Sequence, residues 1–198
     1  MIGLQEVDRH VVRSYFVDQT ARVARALGMH GTFGESRWLL GGRAGNALIT
    51  RTRPRQVQII DLPRSPGGDG RSAIVALVDT SLGELTVAVT HLQNDPSAAE
   101  GQLEVLLDAL DERRAGNGSP AVLLGDLNLA PDAVLPCLAA RGWTAVDVPP
   151  SFPSDVPDQR IDWIVLRGLE CTGVEVPDVR SSDHRPVVAA ARMGRPSG

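Results

Sequence analysis

Short apolar runs that end abruptly at polar residues recur along the chain. The clearest is Val122-Leu123-Leu124-Gly125-Asp126-Leu127-Asn128, in which the apolar residues stop at a glycine. Such a run predicts a buried strand, and the two-residue period of a strand places Asp126 and Asn128 on the same side just beyond its end. Glycine, aspartate and asparagine are also common in turns, so this stretch alone fits either a polar site or a simple turn.

Other apolar runs predict a chain rich in strands. A turn-rich loop at 62–71 separates the two strands of a hairpin, and the glycines of 41–45 indicate a flexible segment. The predicted strands cover residues 2–5, 46–50, 56–61, 72–79, 85–89, 122–126, 160–166 and 187–191.

Three helices are predicted between these strands. Asp18 can cap an amphipathic helix that ends at Gly28. A capping-box sequence predicts a helix over 97–113. A third helix covers 131–142, and Pro136 predicts that it is kinked or starts late. Strands outnumber helices and several look hairpin-linked, which favours an α+β sandwich over a doubly wound parallel sheet.

Length and composition predict one domain over residues 1–198, with a disordered tail at 193–198. No apolar stretch is long enough to span a membrane, and Met1 opens directly into the first strand without a leader, so we expect a cytoplasmic protein. The two cysteines, Cys137 and Cys171, have no metal-type spacing and make a disulfide framework unexpected.

Charge narrows the function classes. All 20 basic residues are arginines, which excludes catalytic lysine chemistry. The net charge of −4 lacks the basic footprint of a protein that binds long nucleic acid through many phosphates. A local arginine cluster can still bind one phosphate, so nucleic acid stays open as a partner although the charge does not favour it.

Eight polar residues fall at predicted strand ends or in tight loops. Taken singly, Glu6 would be an exposed surface residue and His91 a structural histidine. Together they form an oxygen-rich, cysteine-free set, and such hard ligands favour Mg²⁺ or Mn²⁺, with a phosphate ester as the natural substrate. The set consists of Glu6, Asn46, His91, Asp126, Asn128, Asp162, Asp183 and His184.

Six short motifs occur in an order that resembles one known group of proteins. Each is weak alone, but together they cover nearly the whole chain and resemble the endonuclease/exonuclease/phosphatase superfamily, which has the DNase I-like fold. The motifs are Leu4-Gln5-Glu6, Gly45-Asn46-Ala47-Leu48, Thr90-His91-Leu92, Gly125-Asp126-Leu127-Asn128, Ser151-Phe152-Pro153-Ser154 leading into Arg160-Ile161-Asp162, and Ser182-Asp183-His184-Arg185-Pro186-Val187.

The resemblance implies a four-layered α/β sandwich in which two face-to-face mixed β-sheets are flanked by helices. It also implies hydrolysis that depends on a divalent metal, with Glu6 as a direct ligand and with Asp183 and Asp126 at the metal site. His184 would hydrogen-bond to Asp162.

The implied substrate contacts involve the remaining residues. Asp126 would orient or deprotonate the attacking water, Asn128 would hold the phosphate or the water, and His91, steadied by Asn46, would donate to a phosphate oxygen. Both Asp126 and His184 remain candidates for the base.

One feature departs from the family pattern. The family begins with a strand that ends in a metal-binding asparagine, and this sequence starts immediately before the second strand. We therefore expect unpaired sheet edges beside the strands at 2–5 and 187–191, weaker metal binding, and a true start upstream.

Three functions remain as alternatives. The first is a metal-dependent phosphodiesterase or phosphomonoesterase acting on a small or lipid-linked substrate. The second is a nuclease of the same fold, and the third is a non-catalytic binding module. Substrate choice would depend on loops at 37–45, 62–71 and 149–159, and the oligomeric state is left open.

Overall fold

Two β-layers and two helical layers are stacked in the computed structural model, which describes residues 1–194. The helices are α1 (Gln19–Leu27), α2 (Pro96–Asn117) and α3 (Pro131–Ala140), and a short 3-10 turn covers Val12–Ser14. The strands are β1 (Ile2–Arg9), β2 (His30–Leu39), β3 (Gly42–Thr50), β4 (Arg55–Asp61), β5 (Ser72–Thr80), β6 (Gly83–His91), β7 (Ala121–Asp126), β8 (Thr144–Ala145), β9 (Asp162–Arg167), β10 (Leu169–Glu175) and β11 (Val188–Met193).

The central layer is a six-stranded mixed sheet with the order β4-β5-β6-β7-β9-β8. Strands β6 and β7 are parallel, because α2 returns the chain between them, and the other neighbours are antiparallel. The facing layer consists of a three-stranded sheet, β1-β3-β2, and a two-stranded sheet, β10-β11.

Three apolar clusters hold the layers together. Leucines of α2 and α3 pack on one face of the six-stranded sheet around Trp163. The opposite face packs against Leu48 of β3 and against the alanines of β11. Ala24 of α1 covers the outer face of the three-stranded sheet. This order of layers confirms the predicted α+β sandwich.

Three helices form where they were predicted, with one error at a cap. Helix α3 begins at Pro131 and contains Pro136, so it does not start late. The Asp18 carboxylate accepts a hydrogen bond from the Ala21 N–H, and Gly28 ends α1 in the left-handed region, as predicted. The capping box predicted at 97–100 is wrong, because α2 begins one residue earlier. Its N-cap is Asp95, which accepts from the Ala98 N–H, and Pro96 occupies the first turn, where its missing N–H costs nothing.

Three strands, β2, β8 and β10, were missed, and the flexible segment predicted at 41–45 is mostly strand. Strand β2 contains few apolar residues, yet it pairs with β3 along its whole length. Gly45 has a packing role rather than a hinge role, since a Cβ there would collide with the carbonyl oxygen of Gly34 on the neighbouring strand.

The chain end differs from the prediction in part. Met193 is the last residue of β11 and therefore does not belong to a tail, while 195–198 lie outside the described residues. Cys137 and Cys171 are both free thiols. Among residues 1–194, no helix has the length and hydropathy that a bilayer crossing requires.

Candidate active site

Three neighbouring strands of the six-stranded sheet each have one terminus at the same edge, and these termini place three predicted side chains together. His91 ends β6 opposite Asp126, which ends β7. Asp126 in turn lies opposite Asp162, the first residue of β9. Gly125 lets the strands approach, because a Cβ at this position would collide with the Thr90 carbonyl oxygen. The polar ends are thus held on a rigid sheet.

A cleft of about 550 Å³ opens at this edge and collects residues from across the sequence. Of the predicted set, seven line it, and the eighth, Asn46, lines a small neighbouring cavity together with Glu6 and His91. The seven are Glu6, His91, Asp126, Asn128, Asp162, Asp183 and His184.

Glu6 reaches the cleft in a way that the sequence did not predict. It was expected at a strand end, but β1 continues to Arg9 and Glu6 lies in its middle, where the pairing with β3 shifts between Leu4 and Val7. Glu6 has a φ of 54° in this bulge. A bulge redirects a side chain and is common beside functional sites. The Glu6 carboxylate, 61% exposed, approaches His91 Nδ1 at 3.9 Å.

His184 is held in one orientation by its neighbours. Its Nδ1 lies 2.7 Å from Asp162 Oδ2, which also accepts a hydrogen bond of 2.5 Å from the Ser151 hydroxyl. A carboxylate only accepts, so His184 Nδ1 carries the proton and Nε2 is left facing the cleft. The Phe152 ring packs against the imidazole with centroids 4.6 Å apart.

The charges around His184 raise its pKa. Burial alone would lower that pKa, but the hydrogen bond to Asp162 and the charges of Asp162, Asp126 and Asp183 outweigh burial. The imidazolium form is therefore favoured relative to a histidine in water.

Asp126 lies at the centre of the site. Its Oδ1 accepts a 2.9 Å hydrogen bond from the Asn128 backbone N–H, and its Oδ2 lies 3.5 Å from His91 Nε2 and 3.8 Å from His184 Nε2. Burial, followed by the charge of Asp162, raises the pKa of Asp126 from 3.8 to about 6. The carboxylate can therefore exchange a proton near neutral pH.

The pKa of His91 is shifted in the opposite direction to that of Asp126. Burial, followed by the charges of Arg71 and His184, lowers the pKa of His91 to about 3. The imidazole is therefore neutral at physiological pH, and it can donate one hydrogen bond without carrying charge.

Arg71 and Asn94, which the sequence did not indicate, line the cleft beside Asn128. Asn128 Nδ2 donates to the Leu92 carbonyl at 3.1 Å and approaches Asn94 Oδ1 at 3.4 Å, and the Arg71 guanidinium donates to the same Asn94 oxygen at 3.1 Å. Arg71 Nε is buried without a hydrogen-bond partner among the described residues. Arg71 is the last residue of the predicted loop at 62–71, and only its place before a strand could have indicated it.

Asn46 and Asp183 occupy different settings. Asn46 is 1% exposed in the middle of β3, not at a strand start, and its Nδ2 donates to the Ser72 carbonyl at 2.8 Å. Asp183 is exposed on the loop before β11, where its carbonyl accepts a 2.7 Å hydrogen bond from the Ser154 N–H. The roles expected for both residues stay predictions.

The donor atoms of the cleft suit a metal ion. Asp126, Asp162 and His184 each offer one ligand atom, and these atoms lie within 4.8 Å of one another. This group differs from the predicted ligands Glu6, Asp183 and Asp126. In this group Asp162 Oδ2 already accepts hydrogen bonds from Ser151 and His184. Among the described residues, the predicted ligands do not form a group as close as this one. Carboxylate oxygens dominate both, as hard divalent cations require.

Comparison with known proteins agrees with this geometry. The sequence matches the Endonuclease/Exonuclease/phosphatase family over residues 1–184. No match to a curated protein was found.

Solved structures share the fold at low sequence identity. An endonuclease/exonuclease/phosphatase from Beutenbergia cavernae DSM 12333 is 23% identical with a TM-score of 0.77, over 98% of this chain and 61% of that one. This chain therefore spans less than two thirds of that protein's length. The human nocturnin catalytic domain with bound sulfate is 20% identical with a TM-score of 0.78, over 97% and 80%. A mannosyl-6-phosphatase of Bacteroides thetaiotaomicron VPI-5482 is 16% identical with a TM-score of 0.72, over 88% and 81%.

Proposed function

Because the chain belongs to the endonuclease/exonuclease/phosphatase family, we propose that it is a divalent-metal-dependent hydrolase of phosphate esters. The observation that carries the proposal is the cleft itself, in which His91, Asp126 and the His184–Asp162 pair meet at one sheet edge. Structural relatives include a mannosyl-6-phosphatase and a domain that binds sulfate, an anion of phosphate-like shape.

The metal would be Mg²⁺ or Mn²⁺, held by Glu6, Asp183 and Asp126. Glu6 and Asp183 line the cleft with exposed carboxylates, so binding an ion costs them little desolvation. Such an ion would polarise a phosphoryl oxygen and neutralise charge that develops in the transition state.

Side chains of the cleft would accept and donate the protons of the reaction. Asp126 and His184 are both candidates for the base, because Asp126 Oδ2 faces the cleft 3.8 Å from His184 Nε2 and 3.5 Å from His91 Nε2. His184, oriented by Asp162, would place positive charge beside the phosphate. Neutral His91 and the Asn128 carboxamide would donate hydrogen bonds to phosphate oxygens, with Asn46 supporting the wall behind His91.

Arg71 would add an anion contact. It reaches the cleft with a buried Nε that lacks a partner among residues 1–194, and Arg37 lies beside it. Arg37 already pairs with Asp69, so Arg71 is the better placed of the two guanidinium groups to contact a phosphate ester. The net charge of −4 does not suit a long polyanion, so a small or lipid-linked substrate is favoured over a nuclease substrate. A cytoplasmic location stays a prediction.

The test is a substrate panel with purified protein. It includes p-nitrophenyl phosphate, bis-p-nitrophenyl phosphate, sphingomyelin and supercoiled plasmid, each with Mg²⁺, with Mn²⁺ and with EDTA. We expect hydrolysis of at least one small or lipid ester that EDTA abolishes and added metal restores.

Two results would contradict the proposal. Activity that survives EDTA and dialysis would exclude the metal. Binding of phosphate or of a phosphate ester without turnover of any substrate, at either metal, would identify a binding module instead.

A further inference from the structure

A group of exposed apolar side chains lies at one end of the three-stranded sheet. Its members come from the 3-10 turn after β1 and from the hairpin between β2 and β3. Tyr15 and Leu40 are 89% and 83% exposed, as expected of side chains that project from the surface. We call this surface the aromatic patch, and it consists of Val12, Tyr15, Phe16, Trp38 and Leu40.

The two turns of the patch contact each other. The Val12 N–H donates to the Leu40 carbonyl at 3.4 Å. A Cβ added to Gly41 would lie 3.2 Å from Val12 Cγ2 and 3.3 Å from Phe16 Cε1, so these side chains pack over the hairpin tip. Tyr15 and Phe16 both have left-handed backbones, with φ of 53° and 58°. Hydrogen bonds from their N–H groups, of 3.0 and 2.9 Å, hold the turn in this conformation.

The concentration of aromatic residues here is unusual for this chain. The sequence contains 3 Trp, 1 Tyr and 3 Phe, and three of these side chains are exposed in the patch. The other two tryptophans, Trp143 and Trp163, are buried at 3% and 1% exposure. Val12, Phe16 and the hairpin tip are in contact, and exposed apolar surface grouped in this way marks an interaction site.

The charges around the patch favour a lipid surface over a polyanion. The nearby arginines are already neutralised, since Arg9 pairs with Asp18 at 3.1 Å and Arg43 pairs with Glu35 at 2.7 Å. Arg13 pairs in the same way with the buried carboxylate of Asp8 at 2.8 Å. Nucleic acid binding needs unpaired cations, whereas Trp and Tyr beside aliphatic side chains suit the interface of a bilayer.

The patch and the cleft share one edge of the protein. Arg13 and Arg37, each adjacent in sequence to a patch residue, line the small cavity next to Glu6 and His91. On β1, Glu6 precedes Arg9 by three residues, so the strand extends about 10 Å past the cleft toward the patch. A membrane that contacts the patch would therefore lie beside the cleft opening.

We propose that the aromatic patch docks on the surface of a zwitterionic lipid bilayer and brings the cleft to the phosphate ester of a membrane lipid. The docking half of this inference stands on the patch alone. The identity of the substrate rests on the proposed function.

Trp38 is a built-in probe for the test, because the other two tryptophans are buried. Phosphatidylcholine vesicles, with and without phosphatidylglycerol, are titrated into the wild-type protein while tryptophan emission and co-sedimentation are followed. We expect emission to shift to shorter wavelength and binding to occur without the anionic lipid. Phe16→Ser and Leu40→Ser should each lower the partition coefficient about tenfold, since each removes one inserted apolar side chain.

Val57→Ser is the matched control, because Val57 is exposed on β4 of the other sheet. It should leave vesicle binding unchanged. Absence of a vesicle-induced shift would overturn the docking proposal, as would equal loss in the control. Quenching of Trp38 by a single-stranded oligonucleotide without vesicle binding would assign the patch to nucleic acid instead. A dimer that Leu40→Ser dissolves, again without vesicle binding, would assign it to self-association.

The assay separates this inference from the proposed function. Hydrolysis of soluble bis-p-nitrophenyl phosphate by the patch variants should equal that of wild type. Vesicle binding without any hydrolysis would contradict the proposed function and leave docking standing. Hydrolysis of the soluble ester without vesicle binding would contradict docking alone.

Discussion

Replacing Asp126 by asparagine should stabilise the metal-free protein at neutral pH while removing its activity. Asp126 is 6% exposed, and its pKa is raised from 3.8 to about 6, first by burial and then by Asp162. Because the folded state holds this proton more tightly than the unfolded state, the stability it contributes is complete below pH 4 and is lost as the pH rises to about 6. Asparagine resembles the protonated form and keeps an oxygen for the Asn128 N–H.

The size of the effect follows from the same pKa. A change from 3.8 to about 6 corresponds to at most about 3 kcal/mol, at about 1.4 kcal/mol for each factor of ten. Urea unfolding in EDTA, from pH 4 to pH 8, measures the free energy of unfolding of wild type, Asp126→Asn and the surface control Glu100→Gln. The gain of the variant over wild type should grow by about 1–3 kcal/mol between pH 4 and pH 7. A difference in the free energy of unfolding that does not change with pH would refute the reasoning that burial raises the pKa of this carboxylate.

Three further changes test individual residues. Glu6→Gln should remove most of the rise in melting temperature that Mg²⁺ or Mn²⁺ produces in wild type, because a carboxamide binds these ions weakly; equal rises in both proteins would exclude Glu6 as a ligand. Asp162→Asn should lower the pKa of His184, which NMR titration measures, because the imidazole loses its charged hydrogen-bond partner. It should also reduce kcat about 10²-fold or more, since the imidazole loses its orientation. An unchanged His184 pKa would contradict the role of Asp162. Arg71→Gln should raise KM about tenfold with a smaller change in kcat if the guanidinium binds the phosphate, whereas Arg64→Gln, on the same loop, should leave KM unchanged.

Much of the architecture could be predicted because period and cap signals are local. The α1 caps, the hairpin of β4 and β5 and the ends of β6 and β7 follow from residues within a few positions of one another. Strand β2 could not be predicted in this way, because its pairing with β3 depends on glycines that allow close contact rather than on an apolar pattern.

The site residues also divide into those that local sequence patterns predict and those that depend on contacts between distant segments. Residues at strand ends, such as His91 and Asp126, were predictable because parallel neighbours end at one edge. The bulge at Glu6 was not, since one sequence cannot show a register shift against a partner strand. Arg71 and Asn94 were missed because their relation to Asn128 arises only when the loop at 62–71 folds against the turn after β6. The expected loss of stability from an absent first strand stays a prediction.

The central claim is that one metal-dependent cleft hydrolyses phosphate esters, and kcat/KM for bis-p-nitrophenyl phosphate tests it most directly. The comparison is between wild type, Asp126→Asn and Glu100→Gln at saturating Mn²⁺ and in EDTA. We predict turnover by wild type and by the control with metal only, and a loss of at least about 10²-fold in Asp126→Asn. Equal kcat/KM in wild type and Asp126→Asn would contradict the account, because Asp126 lies at the centre of the cleft in contact range of both histidines.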